Sequence, residues 1–468
     1  MKRSYSIILL TAICSLVSGQ QIAEIIEYTP APGQFINTAS GEPEAAESLI
    51  QPNGGLVSLG GFGGFIIFRL AEPIQNDPNN PYGVDFTIFG NALPHWAEPG
   101  VVSVMKDENE NGIPDETWYE LAGSDHFFTG TILDYSISYT NPHTEEAVNI
   151  QWSDNQGAVG YLLKNNFQMQ SYYPDPLAFP SIGESICEFT GTKISPVLDF
   201  SNPLQAVSHS RLFGYADNNA RIDPGNPLPD NPYLQGSANS GGDGMDISWA
   251  LDGENQYVDL DQINFIKVYS AVNANGGILG EISTELSLVV DIEPSEGYPI
   301  PEKIISVKGL PSKIIPEAYE LEYAVFYNGR YMEDETVTWT TDAVLSRIDS
   351  EYYLLAEGEE TLTLIATLDS DPSISTSFST EVYQPVNVAA EFNEHISVYP
   401  NPCKDFVMIE RSESGSVELI SFLGKIVYVE DIAAGSTQLD VRSYPAGIYF
   451  LRCHNAYGIE NHKVIIFR

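Results

Sequence analysis

Short runs of β-branched, aromatic and aliphatic residues recur along the chain, each closed by Gly, Pro, Asn or Ser, and no other feature constrains the fold as tightly. GFIIFRL, VDFTIFGN, GVVSVMK, ILDYSISYT, AVNIQWS and NFIKVYS are examples. Some alternate apolar and polar residues, as a strand with one wet face does. Others are continuous apolar runs suited to the interior of a sandwich. No long segment sustains the period of ~3.6 residues that an amphipathic helix needs. The chain is therefore predicted to be all-β. Its 468 residues, 43% of them hydrophobic, suffice for about three packed domains of ~150 residues each.

The runs fall into three sets. Ahead of them, Lys2 and Arg3 lead an apolar stretch at 7–17, and Val17, Ser18 and Gly19 occupy the cleavage positions. That is the pattern of a secretory leader, residues 1–19, too short to span a bilayer. Ile13 stands before Cys14 where a lipid-attachment site needs a small residue. Residues 20–297 form the first set, 298–385 the second, and 395–468 the third, after a linker at 386–394. No other segment has the apolar length of a transmembrane helix. Long Pro- and Asn-rich loops interrupt the first set, notably NDPNNPYG and DNNARIDPGNPLPDNPYLQGSANSGGDG, and loops of that length are usually functional or ordered by a bound group.

The formal charge is −43. The leader contributes +2 and the residues from His395 onward −1, which leaves −44 on residues 20–394. Such a body repels phosphate backbones and anionic headgroups, which argues against nucleic-acid binding. It suits an exported protein able to hold divalent cations. Beyond the leader three cysteines remain. Cys403 and Cys453 flank the first turn and the penultimate strand of the third set, and are expected to pair in an oxidising compartment. Cys187, in the apolar context SICEFTG, reads as a buried inert thiol.

The sharpest local motif is DENENGIPDE, residues 107–116. Side-chain oxygens fall at alternate positions, Asp107, Asn109 and Asn111; Gly112 permits a sharp turn; the Ile113 carbonyl and Asp115 then return toward the same centre. Calcium takes about six to eight such oxygens. Trp118 stands where an EF-hand has its last Glu, and the flanks GVVSVMK and TWYELAG read as strands. The expectation is a helix-free structural calcium loop, completed by Glu116, water or a distant carboxylate; the alternative is an acidic turn. In GGDGMDISWALDG, Asp243 and Asp246 leave a second cation open, although the glycines equally explain a tight loop entering a strand. Trp96 in NALPHWAEPG, with Tyr172 and Tyr173 in QSYYPDP, lie in turn-rich sequence where a ring can stack on a sugar, and are the candidate ligand-binding residues. No zinc spacing, nucleophile elbow or phosphate loop is present. The 64 acids supply too many pairs for a glycosidase signal to mean anything.

Three resemblances add to this reading. ISVYPNP, then SFLGKIVY, then SYPAGIYFL ahead of the basic-ended last strand resemble the C-terminal sorting domain of the type IX secretion system of Bacteroidetes. Trp339 in TVTW, followed by AEGEETLTLIATL, resembles bacterial Ig-like domains, in which the Trp is core and the module usually a spacer. GGFIIFRLAEPI, DFTIFGNA, EPGVVSVMKDENENGIPDETWYELAG and GGDGMDISWALD together resemble a family of bacterial surface proteins with a galactose-binding-like jelly-roll body. The implied architecture is a jelly-roll β-sandwich followed by two smaller Ig-like modules. The implied partner is the type IX secretion machinery, and the implied location the outer cell surface. The leading functional reading is a non-catalytic binding protein for a glycan, nutrient or surface partner, stabilised by calcium. A secreted polysaccharide hydrolase and a structural adhesin remain the alternatives, since one fold serves all three.

Overall fold

The strand Phe65–Gln75 shows how the sequence builds its layers: Ile66, Phe68, Leu70 and Ile74 point inward and are buried, while their neighbours face outward or sit at the edge of the core. The computed structural model describes residues 21–467 apart from 52–53, 201–205, 221–228, 235–241, 299–302, 309, 315–317, 342–343, 349–350, 356–359, 383–395, 412–413, 422–425 and 456–457. The expected leader and the linker at 386–394 lie outside the described residues. The protein is an all-β sandwich protein. Among the described residues no helix is long and apolar enough to cross a membrane.

The chain divides into two compact units, one ending at Gln384 and the other starting at Pro385. In the first unit a seven-stranded antiparallel sheet runs in the order Ile22–Thr29, Phe65–Gln75, Gln262–Ser270, Gly100–Met105, Tyr119–Leu121 and Ala250–Leu251, with Tyr215–Ala216 also on Gly100–Met105. Gly100–Met105 is buried throughout, as its unbroken apolar run requires. Beside the pair Leu198–Asp199 and Val207–Ser208, three smaller sheets complete this part. One joins Asp243–Met245, Phe86–Phe89 and Leu288–Asp291; a second pairs Glu285–Leu286 with Val57–Ser58; the third orders Ile186–Lys193, Ile132–Thr140, Ile150–Asp154 and Val159–Leu162. Ile66, Phe68, Phe86, Val102, Met245 and Ile266 share one core.

The strands from Ile304–Val307 to Ser375–Val382 form the second part, the one whose sequence resembles an Ig-like domain, with Trp339 buried against Leu362, Leu364 and Ala366. It is joined to the first part by a shared core. Ala324 and Phe326 belong to the main hydrophobic cluster, Phe326 meets Phe213 edge-on at 5.0 Å, and Tyr331 stacks on Phe127 at 4.2 Å. Polar contacts reinforce the seam: Thr129 N and Oγ1 each donate to Glu322 at 2.8 Å, and Arg330 reaches Asp259 at 2.8 Å. A module whose own aromatics fill its neighbour's core does not swing as a separate body.

The second unit, from Pro385, is itself a small sandwich. Ser397–Tyr399, Phe406–Arg411 and Gly435–Asp440 form one sheet; Ile426–Ile432, Gly415–Ser421, Gly447–Asn455 and Gly458–Ile466 form the other. Val407, Ile409, Leu419, Leu451 and Val464 lie between them. Cys403 and Cys453 are both buried as thiols, and the expected disulfide is absent. The register explains it. Cys403 lies beside Ile466, which faces Gly447, whereas Cys453 faces Glu460 further along the same strand pair. At ~3.3 Å per residue the two thiols lie roughly 20 Å apart along the strand, beyond the ~7 Å a disulfide tolerates between Cα atoms. Cys187 is a buried thiol whose pKa burial pushes up to about 12.

Candidate functional site

The 107–115 loop connects Gly100–Met105 to its neighbour Tyr119–Leu121, so it is a hairpin turn at the end of the central sheet. Its own side chains hold its shape. Asp107 accepts from Asn111 N at 3.1 Å and Gly112 N at 2.8 Å; Asn109 Oδ1 accepts from Asn111 N at 3.0 Å; Asn111 Oδ1 accepts from Ile113 N at 2.7 Å. Gly112 sits at φ +73°, where a side chain would strain the turn. The Asn109 and Asn111 amides reach Asp115 at 3.1–3.3 Å. The loop is exposed, and it brings Asp107, Asn109, Asn111 and Asp115 together. The Ile113 carbonyl is occupied by Asp115 N at 2.9 Å, with its second lone pair left over, and its side chain faces solvent. Glu116 closes the set: Oε1 accepts from Asn109 N at 3.3 Å, while Oε2 is buried with no donor. Three carboxylates, one with an orphaned oxygen, and two amides that present Oδ1 after a half-turn are a donor set that fits a hard cation.

A second gathering of acids lies inside the body. Glu98 comes from the connection between Phe86–Phe89 and Gly100–Met105, Asp217 follows Tyr215–Ala216, and Glu285 opens a short strand paired to Val57–Ser58. Their carboxylates lie within 4.8 Å of one another and all three are buried. Asp217 is saturated: Oδ1 accepts from Asn91 N at 2.9 Å and Ala92 N at 2.8 Å, and Oδ2 from Glu285 N at 2.9 Å. Glu285 Oε1 accepts from Ser58 at 2.7 Å and Ser283 Oγ at 2.5 Å, and Oε2 has no donor. Glu98 Oε1 accepts from Ser283 N at 3.2 Å. Burial, followed by the neighbouring carboxylates, pushes the pKa of Glu98 and Asp217 well up, and burial raises that of Glu285. Like charges this close cannot all persist without water, so a proton shared by Glu98 and Glu285, or a cation, must offset them. Positions 98, 217 and 285 share no spacing, and no motif could have selected them from 64 acids.

The other acids weighed in the sequence also act as loop anchors. Asp243 takes Asn218 N at 2.8 Å, Asn219 N at 3.0 Å and Asn219 Nδ2 at 2.9 Å; Asp246 takes Ser248 N at 2.7 Å. Each binds a different stretch of backbone, and Asp85 does the same for Asp77 N and Ile247 N.

The candidate ligand-binding aromatics require correction. Trp96 is only 8% exposed and packs in a cluster with Val101, Ile194 and Tyr269, its ring occupying the space a Cβ on Gly276 would need. Tyr172 and Tyr173 are 0% and 2% exposed, with the Tyr173 hydroxyl donating to Gly183 O at 2.7 Å. A ring enclosed on both faces offers no platform to a sugar. Trp152, whose strand context reads as core, is instead half-buried at the mouth of a pocket shared with Tyr161. A broader groove of about 840 Å³ is bordered by Glu42, Glu44, His143 and Asp175. Another, of about 530 Å³, lies at the seam with the Ig-like part, where Arg211, Lys303 and Lys308 are each paired with an acid.

Comparison with known proteins places the tail. The secretion system C-terminal sorting domain matches residues 397–467. The tail is thus a type IX sorting domain: the protein is secreted, attached at the cell surface, and engages the type IX secretion machinery. No curated protein matches the chain. Among solved structures it is similar to the titin Ig tandem domains A164-A165, at 12% identity, 33% coverage of this chain, 89% of that one and a TM-score of 0.14. It is also similar to Sidekick-1 immunoglobulin domains 1-5, at 11% identity, 46% and 50% coverage and a TM-score of 0.15. Drosophila OTK extracellular domains 3-5 are similar at 11% identity, 43% and 80% coverage and a TM-score of 0.14.

Proposed function

We propose that this is a surface-displayed binding protein for a glycan or small nutrient, not a hydrolase, and that its 107–115 loop carries a structural calcium ion. The galactose-binding-like jelly-roll body is part of the same reading, supported by the antiparallel layers around a common core. One observation carries it: three carboxylates the fold gathers from separate loops, Glu98, Asp217 and Glu285, are buried and largely committed to loop backbone and serines. A glycosidase needs its two carboxyl groups in a cleft on either side of a bond, about 5–9.5 Å apart and open to substrate.

Calcium, when bound, would be held by Asp107, Asn109, Asn111, Asp115 and Glu116, with the Ile113 carbonyl beside them, and would neutralise their repulsion. These residues join two central strands, so fixing the loop fixes the end of the sheet. The test uses the mature full-length chain and a panel of polysaccharides and oligosaccharides. The expected result is saturable binding without release of reducing ends. Release of reducing sugar that a single carboxylate-to-amide change in the Glu42–Asp175 groove abolishes would establish the hydrolase in its place.

A further inference from the structure

A pocket of about 150 Å³ opens between the sheet edge and the turn after Gln262–Ser270. It is lined by Trp152 and Tyr161, the latter 46% exposed, and by Phe62, Asn273, Asn275 and Glu281. The indole is fixed in place. Trp152 pairs across the sheet with Gly160, and a Cβ there would lie 2.3 Å from its ring, so glycine lets the indole lie down over the neighbouring strand.

Glu281 forms part of the wall. It is 2% exposed; Oε1 accepts from Gln34 N at 2.5 Å, and Oε2 has no donor. Less than 1 Å² of that oxygen is open to solvent, so Glu281 shapes the wall, and the polar groups open to a ligand are the half-buried Asn273 and Asn275 side chains. A single water occupies ~30 Å³, far less than this pocket. No Lys, Arg or His lines it, so an anion finds no countercharge. Burial pushes the Glu281 pKa up to about 8, which leaves the acid mostly neutral at pH 7 and offers a cation little. What remains is a neutral ligand with an apolar face for the rings and hydroxyls for the amides. The volume is about half that of the smallest drug-sized pockets, ~300 Å³, and suits one six-membered ring.

We propose that the pocket walled by Trp152, Tyr161, Asn273 and Asn275 binds one neutral sugar ring, stacked on the aromatics with hydroxyls on the two amides. This rests on the binding-protein reading above and names its site. Titration calorimetry of the full-length mature chain with free glucose, galactose, mannose and N-acetylglucosamine, followed by short oligosaccharides ending in the best of them, tests it. At least one probe is expected to bind. Tyr161→Ala, on an exposed ring, should weaken it about tenfold or more with an unchanged melting temperature, and Asn273→Ala, which removes a lining amide, should weaken it as well. Binding that survives both substitutions overturns the pocket and leaves the binding-protein reading standing. Failure of every probe, with a crystal soak showing only water in the pocket, overturns the sugar assignment. Failure of the whole polysaccharide and small-ligand panel as well removes the underlying reading.

Discussion

The 107–115 loop and the Glu98–Asp217–Glu285 cluster use the same side chain, a carboxylate, in opposite surroundings. In the loop the acids come from consecutive turns of one exposed segment and bind their own backbone. In the cluster they come from three distant segments, and Asp217 ties two of them together by taking Asn91 N, Ala92 N and Glu285 N at once. Solvent screens the first set, whereas the second is buried, where each unpartnered donor or acceptor is costly and each extra charge more so. The lesson is that acidity in this protein has two jobs: an outer set arranged to hold a cation, and an inner set that pins loops to the core.

Removing one acid from each set should separate these jobs most sharply. Asp217→Ala strands two buried N–H donors and a part-buried one, the buried ones at about 1–3 kcal/mol each, so a loss of about 3 kcal/mol is expected in urea unfolding. Asp107→Ala in chelator should change stability by about 0.5 kcal/mol or less. Equal effects from the two would break the distinction between pin and cation holder.

The pH dependence sharpens it next. Burial pushes the pKa of Asp243 up to about 7 and that of Asp85 to about 8, against ~3.9 in an unfolded chain. Between these values the folded state holds protons that the unfolded state has released. The contribution of these groups is therefore complete below about pH 4 and is lost as pH rises through 7 to 8, at up to ~1.4 kcal/mol per pH unit for each group. Unfolding midpoints measured in chelator from pH 5 to 8 should fall, and Asp243→Asn should flatten the fall. An unchanged slope in that variant would show that Asp243 stays ionised inside the fold.

The smallest effect belongs to the loop. Calcium at about ten times its dissociation constant should stabilise the wild type by ~1–2 kcal/mol, and Asp107→Ala should remove that gain. Glu285→Gln, which keeps the buried shape, should retain it. If chelator leaves the wild-type melting temperature unchanged and calorimetry records no heat, the loop is only an acidic turn. Loss of the calcium response in Glu285→Gln alone would move the cation inside the body.

Much of this protein was set by local sequence. Alternation in Phe65–Gln75 and the unbroken apolar run of Gly100–Met105 declare strands and their buried faces, because side-chain period and burial are local properties. The tail was legible for a similar reason: its motifs arrive in fixed order within one segment. The 107–115 loop was legible because its converging side chains are only a few residues apart. Tertiary structure alone decided the rest. It sent Trp96, Tyr172 and Tyr173 into the core and left Trp152 at a rim, since exposure depends on which layer covers a ring. It held Cys403 and Cys453 apart through strand register, and it joined the Ig-like part to the first through Phe326. It also assembled Glu98, Asp217 and Glu285 from the loops of separate strands. Contacts between residues so distant in the chain are fixed only when the sheets stack, and no short window of sequence holds that information.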